Sequence, residues 1–154
     1  MKSEPQPPPS GLGALLSVDY VIILCDDLAT MRHFYADVLG FTVAEETPGE
    51  FVGFVVGGLW LSLRPRGRTY DGPAIPLESA AIQISFRVPP DNVDLAFASL
   101  KELGVNIIEG PTNQEWTHRT LFLHDPEQNI VEIYADIPSE SARSEPTGVH
   151  SLQN

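Results

Sequence analysis

A carboxylate sits in the middle of an apolar strand. Ile130-Val-Glu-Ile-Tyr134 is entered through the turn-forming run Asp125-Pro-Glu-Gln-Asn129 and preceded by Leu121-Phe-Leu123, so the segment reads as strand, tight turn, strand. With a period of two, Val131, Ile133 and Ala135 share one face, and Ile130, Glu132 and Tyr134 the other. Burying Glu132 is costly unless something pairs with it. It is therefore either solvent-facing or the polar floor of a pocket. His118 is the second candidate for chemistry, because imidazole has the titration range of a general acid or base.

The elements that must position these groups can be read along the chain. Ser17 to Cys25 is a strand, followed by a helix that Asp26 or Asp27 can cap. Leu28, Met31, Phe34, Tyr35, Val38 and Leu39 are its apolar stripe, and Gly40 ends it. Strands are expected at 41–46, 51–56 and 59–64, the last two joined at Gly57-Gly58. Pro65 to about Ser79 reads as a linker. A strand at 81–88, a helix with Val93, Ala96, Phe97, Leu100 and Leu103 on one face, and a strand at 105–109 follow, then a loop through Trp116 and the closing hairpin. The halves repeat at an offset of about 64 to 70 positions: Leu39-Gly40-Phe41 matches Leu103-Gly104-Val105, and Leu61-Ser62-Leu63 matches Val131-Glu132-Ile133. The expected fold class is α+β, two paired βαβββ modules, set edge to edge or exchanged between subunits, since a unit of this size buries too little surface alone.

Helices must cover one face of each sheet. Val21, Ile23, Leu59, Leu61, Leu63, Ile84, Phe86, Val88, Val131 and Ile133 form a uniformly apolar helix-side set. The opposite set is mixed: Tyr20, Ile22, Leu24, Trp60, Ser62, Arg64, Gln83, Ser85, Arg87, Ile130, Glu132 and Tyr134. Aromatic walls with a few convergent polar groups suit a small-molecule site. Pro111 to Thr120 is a candidate lid, with Trp116 stacking on a ligand and His118 or Arg119 contacting it; the alternative is that Trp116 anchors the loop to the core.

Asp125-Pro-Glu-Gln-Asn-Ile-Val-Glu-Ile-Tyr134, with Val18 to Leu28, His33-Phe-Tyr35 and Val38-Leu-Gly-Phe41, resembles the vicinal oxygen chelate superfamily of glyoxalase I, bleomycin-resistance proteins and extradiol dioxygenases. Gln128 stands where that family commonly has Gly. The resemblance spans about residues 17 to 137. It implies the glyoxalase/bleomycin-resistance/extradiol dioxygenase fold, with module 1 at about 17–64, linker 65–80, module 2 at about 81–137, and tails at 1–16 and 138–154. Carried over position by position, the metal-ligand set of metal-using relatives falls on Tyr20, Ser62, Gln83 and Glu132, and only Glu132 keeps its usual identity. Ser62 is a poor ligand for Zn²⁺, Ni²⁺ or Fe²⁺, and all four histidines lie elsewhere. No tightly bound metal is expected; if one is bound, Gln83, Glu132 and Tyr20 are its ligands.

The 154 residues are 42% apolar and 19% charged, ordinary for a globular domain, with net charge −12. That charge argues against nucleic acid and anionic membranes as partners. Cys25 is the sole cysteine, which excludes an intrachain disulfide. No stretch reads as a signal peptide or membrane span, and a cytoplasmic address is expected.

Two readings of function follow. One is a homodimeric binder of an antibiotic or metabolite, using Tyr20, Trp60, Ser62, Arg64, Gln83, Arg87, Trp116, Arg119, Glu132 and Tyr134 in a cavity between the modules. The other is a metal-dependent lyase, isomerase or dioxygenase using Glu132 and Gln83.

Overall fold

The computed structural model describes residues 11–14 and 17–139, so nearly all of both expected tails lies outside the described residues. The chain runs β1 (Tyr20–Cys25), α1 (Leu28–His33), β2 (Val43–Thr47), β3 (Phe51–Val56) and β4 (Leu59–Pro65). It then repeats the pattern as β5 (Gln83–Arg87), α2 (Asn92–Glu102), β6 (Ile107–Asn113), β7 (His118–His124) and β8 (Ile130–Asp136). The two sheets have orders β1-β4-β3-β2 and β5-β8-β7-β6. In each, the first and last strands of the module are parallel and the remaining pairs antiparallel. This is βαβββ twice, as the repeat implies.

Local chemistry explains the boundaries. Asp27 caps α1, accepting from the Thr30 amide at 3.0 Å and its hydroxyl at 2.7 Å. After His33 the helix widens into one π-helical turn, Phe34–Val38, before Gly40 turns the chain at φ +77°. Gly104 does the same for α2 at φ +70°, a left-handed conformation that costs glycine little. One expectation needs correction. The segment from Gly110 is strand rather than loop as far as Asn113, because Thr112 and Asn113 pair with Thr120 and Arg119; irregular register around Glu109 absorbs Gly110 and Pro111. Between the modules, the segment after β4 has no strand or helix, and Asp71 there accepts from both Arg64 terminal nitrogens (2.7 and 2.8 Å) and from the Gly67 and Arg68 amides (2.9 and 2.8 Å).

The helix-side set forms the interior. Ile23, Leu61, Leu63, Val131 and Ile133 are buried together with Met31, Phe34 and Tyr35 of the first helix and Val93 and Leu100 of α2. Val21, Ile84, Phe86 and Val88 pack against the same cluster, which is continuous across both modules. Each such side chain contributes about 1.5–3 kcal/mol when fully buried.

Polar groups tie the modules together. Asp125, 2% exposed, accepts from Tyr35 Oη (2.9 Å), Asn129 Nδ2 (2.9 Å) and the amides of Glu127 (2.9 Å) and Asn129 (3.0 Å). Next to it, Glu127 Oε1 accepts from the Asp26 and Asp27 amides at the entry to α1. Burial, reinforced by the neighbouring Asp125 charge, pushes the Tyr35 phenol well above its ordinary range, so it stays a neutral donor. Cys25 is fully buried beside this network, and burial pushes its thiol up as well. Tyr35→Phe should therefore cost about 1–3 kcal/mol in denaturant unfolding, since it leaves a buried acceptor short of a donor. Tyr70→Phe, at an exposed ring, should stay within about 0.5 kcal/mol.

Candidate functional site

Among the described residues no helix covers the second face of either sheet, and the mixed residue set lies there. In sheet two, β8 runs between β5 and β7, with Glu132 opposite Ser85 on one side and Phe122 on the other. Glu132 is 7% exposed. Its Oε2 accepts a short hydrogen bond from Ser85 Oγ and a longer one, 3.4 Å, from Gln83 Nε2. Among the described residues no Lys, Arg or His forms an ion pair with it. A buried carboxylate held only by neutral donors retains capacity for another donor or a cation.

Two residues further along, Arg87, Tyr134 and His118 form a row across three strands. Arg87 Nε donates to Tyr134 Oη at 3.1 Å, with its guanidinium 5.5 Å from the Tyr134 ring centre. His118 stacks on the same ring at 4.4 Å. Asp136 lies 3.3 Å from His118 Nε2 and 3.5 Å from Arg87 Nη1.

In sheet one, Tyr20 stacks on Trp60 with centroids 6.1 Å apart. Trp60 lies against Gly53, where a Cβ would come within 2.8 Å of its ring, so only glycine leaves room for the indole there. Ser62 is wholly buried, and its hydroxyl has no hydrogen-bond partner among the described residues. Arg64 is taken up by Asp71, not by Glu132. The guanidinium, with the Arg68 and Gly67 amides, holds the Asp71 carboxyl well below its ordinary value of 3.8 against the opposing effect of burial.

Other residues fall elsewhere. Arg119 shares the helix-side face with Leu121 and Leu123, and its guanidinium binds Asp94 of α2 at 2.7 Å through two nitrogens and Asn113 at 2.9 Å. It does not meet Glu132. Trp116 stands 57% exposed between β6 and β7, neither folded over a cavity nor anchored in the core. His118 belongs to β7 itself, so the expected lid is largely hairpin.

A cleft of about 590 Å³ runs between the modules, with β5 as one wall and Val21, Phe41, Val56, Leu59 and Leu61 as the other. β5 contributes both faces, Ile84, Phe86 and Val88 as well as Gln83, Ser85 and Arg87. Phe41 and Val56 were not among the sequence-derived site residues; their partner in the cleft, β5, is remote in sequence.

Residues 17–133 match the model of the Glyoxalase/Bleomycin resistance protein/Dioxygenase superfamily. The chain belongs to this superfamily. The metallothiol transferase FosB of Staphylococcus saprophyticus is 24% identical over 118 residues, covering 77% of this chain and 76% of that protein. Among solved structures, a glyoxalase/bleomycin resistance protein/dioxygenase from Nocardioides superposes with TM-score 0.69 at 20% identity, over 91% of each chain. A glyoxalase/dioxygenase from Nostoc punctiforme gives 0.67 at 24%, over 87% of this chain and all of that one. Both likenesses concern the fold.

For this superfamily member the central strand positions carry a phenol, a hydroxyl, an amide and one carboxylate, at Tyr20, Ser62, Gln83 and Glu132. Among the described residues no three His, Cys, Asp or Glu side chains gather where they could hold a metal ion. Such a donor set, with no imidazole and one anion, does not fit a transition-metal centre of the imidazole–carboxylate kind.

If Glu132 is held only by neutral donors, Glu132→Leu should leave thermal unfolding unchanged or raise stability by about 1 kcal/mol, because a costly buried charge is removed. The Asp71 shift has a definite sign: a depressed carboxyl stabilises the fold above its ordinary pKa and loses that contribution as pH falls through the native value. The melting temperature of Asp71→Asn should therefore lie below wild type near neutrality, and the gap should narrow only below 3.8.

Proposed function

We propose that this superfamily member binds a small organic molecule, an antibiotic or a metabolite, in the space between its modules without a tightly held metal. The observation that carries this reading is Glu132, a buried carboxylate satisfied by Ser85 and Gln83 alone on a sheet face that no helix covers. The cleft volume of about 590 Å³ is within the size range of ligand sites, and its mixed apolar and polar lining suits a drug-sized compound. Gln83, Ser85 and Arg87 reach this cleft, while Tyr20, Trp60, His118 and Tyr134 supply stacking and hydrogen-bonding groups on the sheet faces that carry Glu132.

A homodimer is part of this proposal. Among the described residues β1 and β5 each pair on one side only, and Tyr20 and Ile22 are 61% and 45% exposed. A second copy set against these edges would complete the ligand space. Among the described residues no helix is long and apolar enough to cross a membrane, and a cytoplasmic address remains part of the proposal.

A second reading has one observation in its favour: Glu132 is a buried carboxylate with Gln83 beside it, whose Nε2 donates to Oε2 at 3.4 Å, and these two side chains would be the ones to hold a divalent ion. A metal-dependent lyase, isomerase or dioxygenase would follow. Metal analysis of protein purified without chelator separates the two. The binder should contain only substoichiometric Zn, Ni, Fe or Mn, whereas stoichiometric metal that disappears in Glu132→Ala would establish the enzyme reading. Light scattering should give a dimer. A thermal-shift hit applied at about 100 times its Kd should stabilise the protein by about 2.7 kcal/mol, an effect that Glu132→Leu should diminish.

A further inference from the structure

We infer that the ligand is dipolar: a small molecule with an ammonium or hydroxyl donor at one end, received by Glu132, and a carboxylate or other oxyanion at the other, received by Arg87. The inference rests on the proposed ligand face and adds the chemical class of what binds there.

Two guanidinium groups stem from the open faces, and they differ in availability. Arg64 is 12% exposed in its side chain and spends both terminal nitrogens on Asp71. Arg87 is 65% exposed in its side chain. Its Nε is committed to Tyr134 Oη, and Nη1 has only Asp136 at 3.5 Å. Nη2 has no partner among the described residues. The Tyr134 ring beneath the guanidinium, itself backed by stacked His118, fixes the plane of the fork. A pre-oriented fork with a free edge is the geometry that binds oxyanions in bidentate fashion. Asp136 is a weak competitor. It is 59% exposed in its side chain, divides its charge between Arg87 and His118, and exposed pairs of this kind contribute little.

Glu132 has the complementary need. It is buried, negative and held by neutral donors, so a ligand ammonium or hydroxyl adds a charge-assisted hydrogen bond that the protein does not provide. Register sets the distance between the two ends. Ser85 is opposite Glu132 and Arg87 opposite Tyr134, two residues on along the same face, so Glu132 and Arg87 are diagonal neighbours on adjacent strands, roughly 7–8 Å apart at the backbone. A compound whose donor and anion are that far apart satisfies both; a bare amine or a bare acid satisfies one.

The series of unbranched ω-amino acids from glycine to 6-aminohexanoate tests this, with pentylamine and pentanoate as single-ended controls for 5-aminovalerate. Binding is followed by NMR through the amides of Ser85, Arg87, Glu132 and Tyr134 and the Arg87 Nε–H. Affinity should peak in the middle of the series, and 5-aminovalerate should bind at least about tenfold more tightly than either control. Arg87→Gln should erase its advantage over pentylamine, and Glu132→Gln its advantage over pentanoate. Arg87 is exposed, so Arg87→Gln should keep the wild-type melting temperature. Equal binding of the three five-carbon probes, or no perturbation by any member of the series, overturns the dipolar assignment. The ligand face itself stands or falls separately, on whether uncharged hits from the thermal-shift screen perturb the same amides.

Discussion

Asp125 is the constraint on which the arrangement of both modules depends. A carboxylate that is 2% exposed must be given hydrogen-bond donors, and four converge on it. Three come from its own turn and shape the β7–β8 hairpin. The fourth, the Tyr35 hydroxyl, comes from the other module, 90 positions earlier. Satisfying one buried charge thus folds the closing turn and docks it against the first helix in the same act. Glu127 repeats the logic beside it, accepting from the amides that open α1. Burial raises the Glu127 carboxyl above its ordinary range, with the Asp26 and Asp27 amides acting in the opposite direction.

That docking determines what remains uncovered. Most of the helix-side faces go into the shared core, apart from the part that walls the cleft, and Phe41 meets Phe86 at 5.1 Å where the modules touch. The faces bearing Glu132 and Trp60 are left without a helical cover. The polar groups there are organised in neighbouring pairs rather than scattered: Ser85 with Glu132, Arg87 with Tyr134, Arg64 with Asp71. Arg64 spends both terminal nitrogens on Asp71, whereas Arg87 has only Tyr134 on its Nε and Asp136 at 3.5 Å from Nη1.

Much of this was legible in the sequence because strand parity is strict. Leu61-Ser-Leu63 and Val131-Glu-Ile133 place a polar residue between two core residues, and the structure pairs Ser62 with Ile22 and Glu132 with Ser85 at the centres of their sheets. Parity failed where the element was misjudged. Reading Pro111 to Thr120 as a loop hid the fact that Arg119 alternates with Leu121 and Leu123, and so must face the helices. Parity gives the face of Arg64, but its partner Asp71 lies in the Pro- and Gly-rich linker, where no periodic pattern marks which side chain will turn back to the sheet. The cleft was hidden for a different reason: it joins Phe41 and Val56 to β5, and no local pattern records a contact between segments so far apart in the chain.

The unpaired side of β1 also bears on how the protein stays in solution. Tyr-Val-Ile-Ile-Leu-Cys, residues 20–25, is a six-residue run with strong β-propensity, no charge and no proline, lying at a sheet edge. Such a segment is a template for indiscriminate strand addition. It is bracketed by Asp19 on one side and Asp26 and Asp27 on the other, in a chain of net charge −12. Like-charged chains repel, and acidic residues bordering a sticky strand penalise the in-register stacking of copies that amyloid requires. The acidity of this protein thus acts as a guard on its own edge strand, tolerating an ordered neighbour while discouraging a disordered aggregate.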